Sequence, residues 1–399
     1  MERIRLKVQE DLDSITVIND EEVYRIIDKN IQKECRNTHI SLKEKLSLRH
    51  DIFNSIRRLD VLEDFIEDQD ISEIMVNGIH SIFYEKGGRI IESDKSFSSR
   101  ERLEDIIQKI VAKANRTVNT ASPIQDARLE DGSRVNVVLA PVAINGPILT
   151  IRRFPRDPVD DKRLLEYGAL SPEILLFLKK MVTARYNILI SGSTGAGKTT
   201  MLNVLSGYIP ENERIITIED SAELQIRGIK NIVRLEARSS NVEGCKEISI
   251  RDLIRSSLRM RPDRIIVGEV RGAEAIDMLQ AFNVGQDGSL STIHANSAKD
   301  ALSRLETMML MSSDIPLTAI RKQMASGIDL IIQLGRLRDK SRRLLEIIEV
   351  EGMEEGDIKT KRLYSFREEA ERDGKIYGSF IKEEELSYRD KLKRAGIEL

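Results

Sequence analysis

Eight residues near the middle of the chain, Gly192-Ser193-Thr194-Gly195-Ala196-Gly197-Lys198-Thr199, constrain the fold more than any other segment. Glycine spacing of this kind lets successive backbone N–H groups converge on one anion, which is how a phosphate is cradled. The pattern demands an apolar strand before it and a helix after it, and Asn187 to Ser191 and Thr200 to Gly207 supply both. In that setting the helix N-terminus adds its positive dipole end, Lys198 reaches the β and γ oxygens, and Thr199 coordinates Mg²⁺, with Thr200 next in the first turn. A chance match is on the order of one or two in a hundred from typical residue frequencies. The cradle does not specify the base.

The surrounding pattern extends this expectation. Apolar stretches at Tyr186 to Ser191, Ile215 to Glu219, Arg264 to Glu269 and Leu290 to His294 alternate with helical spacing. That alternation predicts an α/β domain with a mainly parallel sheet covered on both faces over 164–354. Ahead of it, β-rich pieces at Ile74 to Val76, Ser81 to Tyr84, Arg134 to Leu139 and Ile148 to Arg153 flank a helix carrying Leu103, Ile106, Ile107, Ile110, Val111 and Ala114. Ser98 and Glu101 have the spacing of its cap. These define an α+β domain over 61–154, and Pro155 and Pro158 in a charged run mark a linker over 155–163.

Residues 1–60 read as a helical N-terminal segment. Val23, Ile26, Ile27 and Ile31, then Leu42, Leu46, Ile52, Phe53, Ile56 and Leu59, fall near helical spacing, and Ser41 with Glu44 forms a capping box. Residues 355–399 are strongly charged, with weak strand signals at Arg362 to Phe366 and Lys375 to Phe380, and read as a peripheral, partly mobile tail.

Composition removes other classes. With 63 basic and 66 acidic residues the net charge is −3, so nothing global steers the chain to nucleic acid, and 4% aromatic content offers little for base stacking. Two distant cysteines, Cys35 and Cys245, cannot build a structural zinc site and read as reduced thiols of a cytoplasmic protein. Neither the opening Met1 to Asp13 nor any later stretch has the apolar length of a leader or a membrane span, so membrane association is expected only through partners.

Three residues at strand ends are candidates for chemistry. Glu269 closes the apolar strand from Arg264, where P-loop enzymes place the group that polarises water or holds the metal. Gly268 stands where a metal-binding Asp is expected, so a second carboxylate, Glu219 or Asp220, must help complete the Mg²⁺ shell. His294 ends a third strand and is a candidate γ-phosphate sensor. Candidate arginines for charge on the γ oxygens are Arg134, Arg152, Arg153 and Arg271.

In this order the residues resemble the secretion ATPase superfamily of type II secretion, type IV pili and type IV secretion, over roughly residues 60 to 350. The resemblance rests on the P-loop, an aspartate box Ile216-Thr217-Ile218-Glu219-Asp220, the strand ending Val267-Gly268-Glu269-Val270-Arg271, and a histidine box Ser291-Thr292-Ile293-His294-Ala295-Asn296. Within the superfamily the chain looks most like the CpaF-type ATPases of tight-adherence (Flp) pili, through Glu73 to Gly78, Asp131 to Asn136 and Ile148 to Phe154. The resemblance implies a RecA-like motor domain, a homohexameric ring, ATP and Mg²⁺, and an inner-membrane platform protein as partner. It carries over Glu269 as catalytic carboxylate, Glu219 as its partner in organising metal and water, His294 as sensor, and Arg134, Arg152 and Arg153 as phosphate contacts. The superfamily tolerates the missing aspartate at Gly268. The rivals are a conjugation-type secretion motor, a nucleotide-gated scaffold with little hydrolysis and, more distantly, a nucleic-acid motor.

Overall fold

Apolar positions at helical spacing build the first elements. In a computed structural model of the chain, which describes residues 2–13, 19–35, 40–114, 116–129, 131–153, 159–238 and 246–399, three helices share one small core: α1 (Glu2–Asp13), α2 (Asp20–Glu34) and α3 (Leu42–Arg57). Ile4, Val8, Val23, Ile27, Ile31, Ile52 and Phe53 form it. The capping box is present, with Ser41 Oγ accepting from the Glu44 amide and Glu44 accepting from the Ser41 amide. Two residues counted in the apolar face of α3, Leu42 and Leu46, are exposed instead. Helix α1 falls within the helical segment expected over 1–60 without a named apolar pattern, because its charged sequence sends only Ile4 and Val8 fully into the core, with Leu12 partly buried against it.

A short 3-10 turn (Asp60–Leu62) and α4 (Glu63–Glu67) lead into six strands: β1 (Ile71–Asn77), β2 (Ile82–Lys86), β3 (Arg89–Glu92), β4 (Ile124–Arg128), β5 (Arg134–Val138) and β6 (Ile148–Arg152). They form an antiparallel sheet in the order β3-β2-β1-β6-β5-β4. Helix α5 (Arg100–Lys113) contributes Leu103, Ile106, Ile107, Ile110 and Val111 to the core beside Ile74, Val76, Val135 and Ile151. Its cap is Ser99, one residue later than the spacing suggested, because Ser99 Oγ accepts from the Arg102 amide.

The chain divides into two units, Met1–Arg156 and Asp157–Leu399. Phe154, Pro155 and Pro158 lie outside the described residues, as does Cys245. The last three residues assigned to the linker belong to a helix, α6 (Asp161–Glu166), capped by Asp160.

The second unit continues with α7 (Pro172–Thr183), β7 (Ile188–Gly192), α8 (Lys198–Ser206), β8 (Ile215–Glu219), β9 (Ile232–Glu236), α9 (Ile250–Ser257), β10 (Arg264–Val270), α10 (Glu274–Asn283), β11 (Leu290–Ile293), α11 (Ala298–Ser312), α12 (Leu317–Gly327) and β12 (Leu330–Arg336). Strands β12-β7-β11-β10-β8-β9 run parallel, and successive residues serve opposite cores. Ile188 and Ile190 join the layer of α7 and α8, whereas Leu189 joins that of α9 to α12. Burial on both faces explains the near-continuous apolar runs of these strands.

The sheet does not stop at β12. Antiparallel strands β13 (Arg342–Glu354), β14 (Asp357–Arg372) and β15 (Lys375–Lys382) extend it to nine strands, and α13 (Asp390–Ala395) follows. Residues 355–399 are therefore not a peripheral tail. Leu363, Tyr364, Leu386 and Leu392 enter the main core, Glu349 accepts from the amides of Ser387 and Tyr388, and Lys391 Nζ lies 2.7 Å from Asp329 Oδ2. Among the described residues no helix is long and apolar enough to cross a membrane.

Candidate functional site

The carboxyl ends of β7, β11, β10 and β8 bring the candidates of the second unit to one edge of the sheet, where ligands bind in open α/β folds. Strand β7 ends at Gly192. A Cβ there would lie 2.7 Å from the Leu334 carbonyl oxygen, so the close approach of β12 requires glycine. Ser193, Thr194, Gly195 and Ala196 then form the turn, with Gly195 and Gly197 at φ +73° and +96°, values that favour glycine. Helix α8 starts at Lys198, and Thr199 and Thr200, both half-buried, lie in its first turn. Its free amides therefore open onto the loop.

The buried Lys198 donates from Nζ to the Ser193 carbonyl at 3.1 Å and lies 3.1 Å from His294 Nδ1. The other ring nitrogen, Nε2, is 2.7 Å from Glu269 Oε1. Burial lowers the pKa of His294, and Lys198, Arg271 and Arg304 lower it further against the pull of Glu269. Lys198 Nζ also lies 3.4 Å from Nε2, so the ammonium sits beside the ring, and Glu269 Oε1 approaches Nε2 as a close polar contact while keeping no hydrogen-bond partner among the described residues. Burial also lowers the Lys198 pKa, with Glu269 opposing.

Local backbone irregularity aims Glu269. Opposite β11, Val267 pairs with Ser291 and Val270 with Ile293, so β10 carries one extra residue between them. This bulge places both Val267 and Val270 in the layer of α9 to α12 and re-aims the residues between them. Thr292 Oγ1 holds the bulge by donating to the Gly268 carbonyl at 2.8 Å. Arg271 Nη2 donates to Glu269 Oε2 at 2.7 Å, and Nη1 lies 3.6 Å from Asp220 Oδ2.

The glycine at 268 has a steric reason. A Cβ there would meet Glu219 Cγ at 2.9 Å, so the side chain of Glu219, from the neighbouring strand β8, fills the room an aspartate would need. Glu219 is 3% exposed, and its Oε2 accepts from the amides of Glu223 and Leu224 at 2.6 and 2.9 Å. Burial pushes its pKa up to about 7 against those two hydrogen bonds. Of the two acids weighed for the second carboxylate, Glu219 points inward and Asp220 lies outward beside Arg271.

Among the described residues no cluster of three or more His, Cys, Asp or Glu could hold a metal alone. Magnesium fits here only as it does in other phosphate sites, sharing waters and phosphate oxygens with few protein ligands. Glu219 Oε1 is buried with no hydrogen-bond partner among the described residues, an acceptor suited to a metal-bound water. That orphaned oxygen is the observation that makes the donor set fit.

The arginines separate into two groups. Arg271 lies in the constellation itself. Arg134, Arg152 and Arg153 belong to the first unit, where Arg134 and Arg152 face each other across β5 and β6. Arg153 donates from Nη1 to the carbonyls of Asp68 and Ile71, which ties it to its own domain.

Two residues escaped the sequence reading. Arg342, on β13, donates from Nε to the Gly195 carbonyl at 2.8 Å and so fixes the loop from a distant strand. Arg304, on α11, lines a cleft of about 410 Å³ together with Thr194, Glu269, Val270, Arg271 and His294. Neither had a local signal, since each acts through tertiary placement.

Comparison with known proteins agrees with this layout. The sequence matches the model of the type II/IV secretion system protein family over residues 57–375. It is 35% identical over 293 residues to a Mycobacterium tuberculosis (strain ATCC 25618 / H37Rv) protein named for conjugal transfer, covering 72% of this chain and 83% of that protein. It is 33% identical over 315 residues to the type IV secretion system protein PtlH of Bordetella pertussis, covering 72% of this chain and 93% of PtlH. The fold is similar to that of the Yersinia pseudotuberculosis ATPase DotB, with a TM-score of 0.55 at 20% identity over 73% of this chain and 78% of DotB. The chain belongs to the type II/IV secretion system protein family.

Proposed function

We propose that this protein is a Mg²⁺-dependent ATP hydrolase that works as a homohexamer at the cytoplasmic face of the inner membrane. There it drives insertion or extraction of pilin subunits through a platform protein. The observation that supports the ATPase reading is the grouping of Lys198, His294 and Glu269, in which the imidazole lies within 3.1 Å of the phosphate-loop lysine and 2.7 Å of the candidate base. The pilus assignment rests on the CpaF-type segments Glu73 to Gly78 and Asp131 to Asn136, and on the helices that precede β1.

The chain's own groups divide the work. The loop amides and Lys198 bind the β and γ phosphates, and Lys198 leaves His294 as it does so. The incoming negative charge raises the proton affinity of the imidazole, which lets His294 register the γ-phosphate. Glu269 orients and deprotonates the attacking water. Thr199, with Glu219 through water, would hold magnesium, which when bound would supply neutralisation of phosphate charge. Arg271, released from Glu269, stabilises the charge that develops on the transferred group.

Glu269→Gln keeps the shape of the site and removes the base. Turnover of the assembled ring is expected to fall by roughly 10²- to 10⁴-fold with nucleotide affinity retained. Unchanged phosphate release would remove Glu269 from the mechanism. Lys198→Ala is the companion variant, and an unaltered ATP affinity there contradicts the cradle assignment.

A second reading places the motor in a conjugation-type or substrate-translocating secretion system. The 35% identity to a protein named for conjugal transfer and the 33% identity to PtlH favour it. A pull-down that recovers a pilus platform protein supports the first reading, and one that recovers conjugation components supports the second.

A further inference from the structure

Two arginines, Arg271 and Arg304, line the cleft beside the loop apex, and Lys198 lies next to His294 on its wall; two of these three cations are already engaged. Lys198 is held by Ser193 and His294, and Arg271 by Glu269 and Asp220. Arg304 differs. Among the described residues it has neither a hydrogen-bond nor an ion-pair partner, yet it lines the same cleft as Thr194, Glu269 and His294.

The backbone beneath Arg304 is well anchored. Helix α11 begins just beyond β11, Ser297 caps it by accepting from the Asp300 amide, and Ala301, Leu302 and Leu305 are packed in the core on either side of residue 304. A flexible stem on a fixed helix delivers a planar guanidinium to the cleft, and two of its N–H groups can meet two phosphoryl oxygens at once. The cleft, about 410 Å³, has room for a terminal phosphate group beside the loop.

We propose that Arg304 binds the terminal phosphoryl group of the nucleotide from within the same subunit, and so distinguishes a triphosphate from a diphosphate. This rests on the nucleotide-site reading above. The charge balance supports it: Arg304 contributes to holding the His294 pKa down, so pairing Arg304 with phosphate removes that influence as the γ-phosphate arrives. One event then neutralises the arginine and prepares the histidine.

The test is direct binding to the full chain of a nonhydrolysable ATP analogue and of ADP, the latter with and without inorganic phosphate. Arg304→Ala is expected to weaken analogue binding roughly 10- to 100-fold, the range of a hydrogen-bonded charge, while ADP affinity stays within about twofold. Arg304→Lys keeps the charge without the fork and is expected to recover only part of the loss. Retained ADP binding also shows that the variant is folded. Equal losses for analogue and ADP, or no loss for either, overturn the proposal. So does an effect confined to phosphate-dependent ADP binding, because Arg304 would then hold only the released product. If the wild-type chain binds neither nucleotide, the underlying site reading fails; if it binds both and Arg304→Ala leaves their ratio unchanged, only the Arg304 assignment falls.

Discussion

At the amino end of β10, Arg264 is fully buried and every nitrogen of its fork is engaged: Nε and Nη2 donate to the two oxygens of Glu213 at 2.7 and 3.0 Å, and Nη1 donates to the carbonyls of Val182 and Gly288 at 2.6 and 3.3 Å. At the carboxyl end of the sheet, Glu219 is nearly as buried but keeps one oxygen without a partner, and Glu269, hydrogen-bonded by the exposed Arg271, keeps its Oε1 unpartnered near His294. Both ends carry the desolvation cost of ionic groups. The amino end offsets it with protein partners, whereas the carboxyl end leaves part of it standing, where a ligand can complete the set.

The sealed end gives the largest effect on stability. Arg264→Met strands Glu213 in the interior and is expected to cost about 3 to 5 kcal/mol of unfolding free energy. Arg185, 3.2 Å from Glu213 but partly exposed, offers some residual pairing and favours the lower end. Adding Glu213→Leu is expected to recover most of the loss, because a buried pair replaced by apolar groups is close to neutral. Denaturant unfolding of the three proteins measures this, and a double variant as weak as the single one breaks the contrast between the ends.

The same contrast explains what was legible in the sequence. The loop Gly192 to Thr199 and the acids at the exits of β8 and β10 were visible because buried parallel strands write continuous apolar runs, and whatever polar group follows such a run stands out. The bulge at Gly268 and Glu269 was not visible, since it is a pairing irregularity rather than a residue pattern. Nor was the extension past β12. Strand β14 buries only Leu363 and Tyr364 among 16 residues, so alternation is nearly absent and charge dominates, which made a paired strand look like a tail. Arg342 was missed for a different reason: it lies on β13, inside the stretch assigned to the ATPase domain, and reaches the loop across 147 positions of sequence with no local motif.

The open end predicts a pH-dependent effect of intermediate size. Glu219 has a folded pKa of about 7 against a usual 4.5, so the fold favours its neutral form. That contribution is complete below about pH 4.5 and is lost as pH rises through 7, a swing of about 3 kcal/mol. Glu219→Gln removes the titration. The variant is therefore expected to match the wild type near pH 4 and to exceed it in stability near pH 8, while losing turnover. A stability difference that stays constant between pH 4 and 8 would show that Glu219 does not bear the desolvation assigned to it.

The smallest effect lies between the two ends, at the hydroxyl that holds the bulge. Thr292→Val preserves shape and buried volume but removes the donor to the Gly268 carbonyl, for an expected loss of about 1 kcal/mol in stability. If the bulge only relieved crowding between Gly268 and Glu219, turnover would follow stability and change little. If instead it aims Glu269 at His294, loosening it misdirects a carboxylate whose Oε1 lies 2.7 Å from the ring. The turnover number is then expected to fall by roughly tenfold or more with nucleotide affinity unchanged, since small errors of placement are costly in a reacting geometry. Steady-state phosphate release and equilibrium nucleotide binding on the same preparation separate these outcomes, and a stability loss with full turnover would assign the bulge to packing alone.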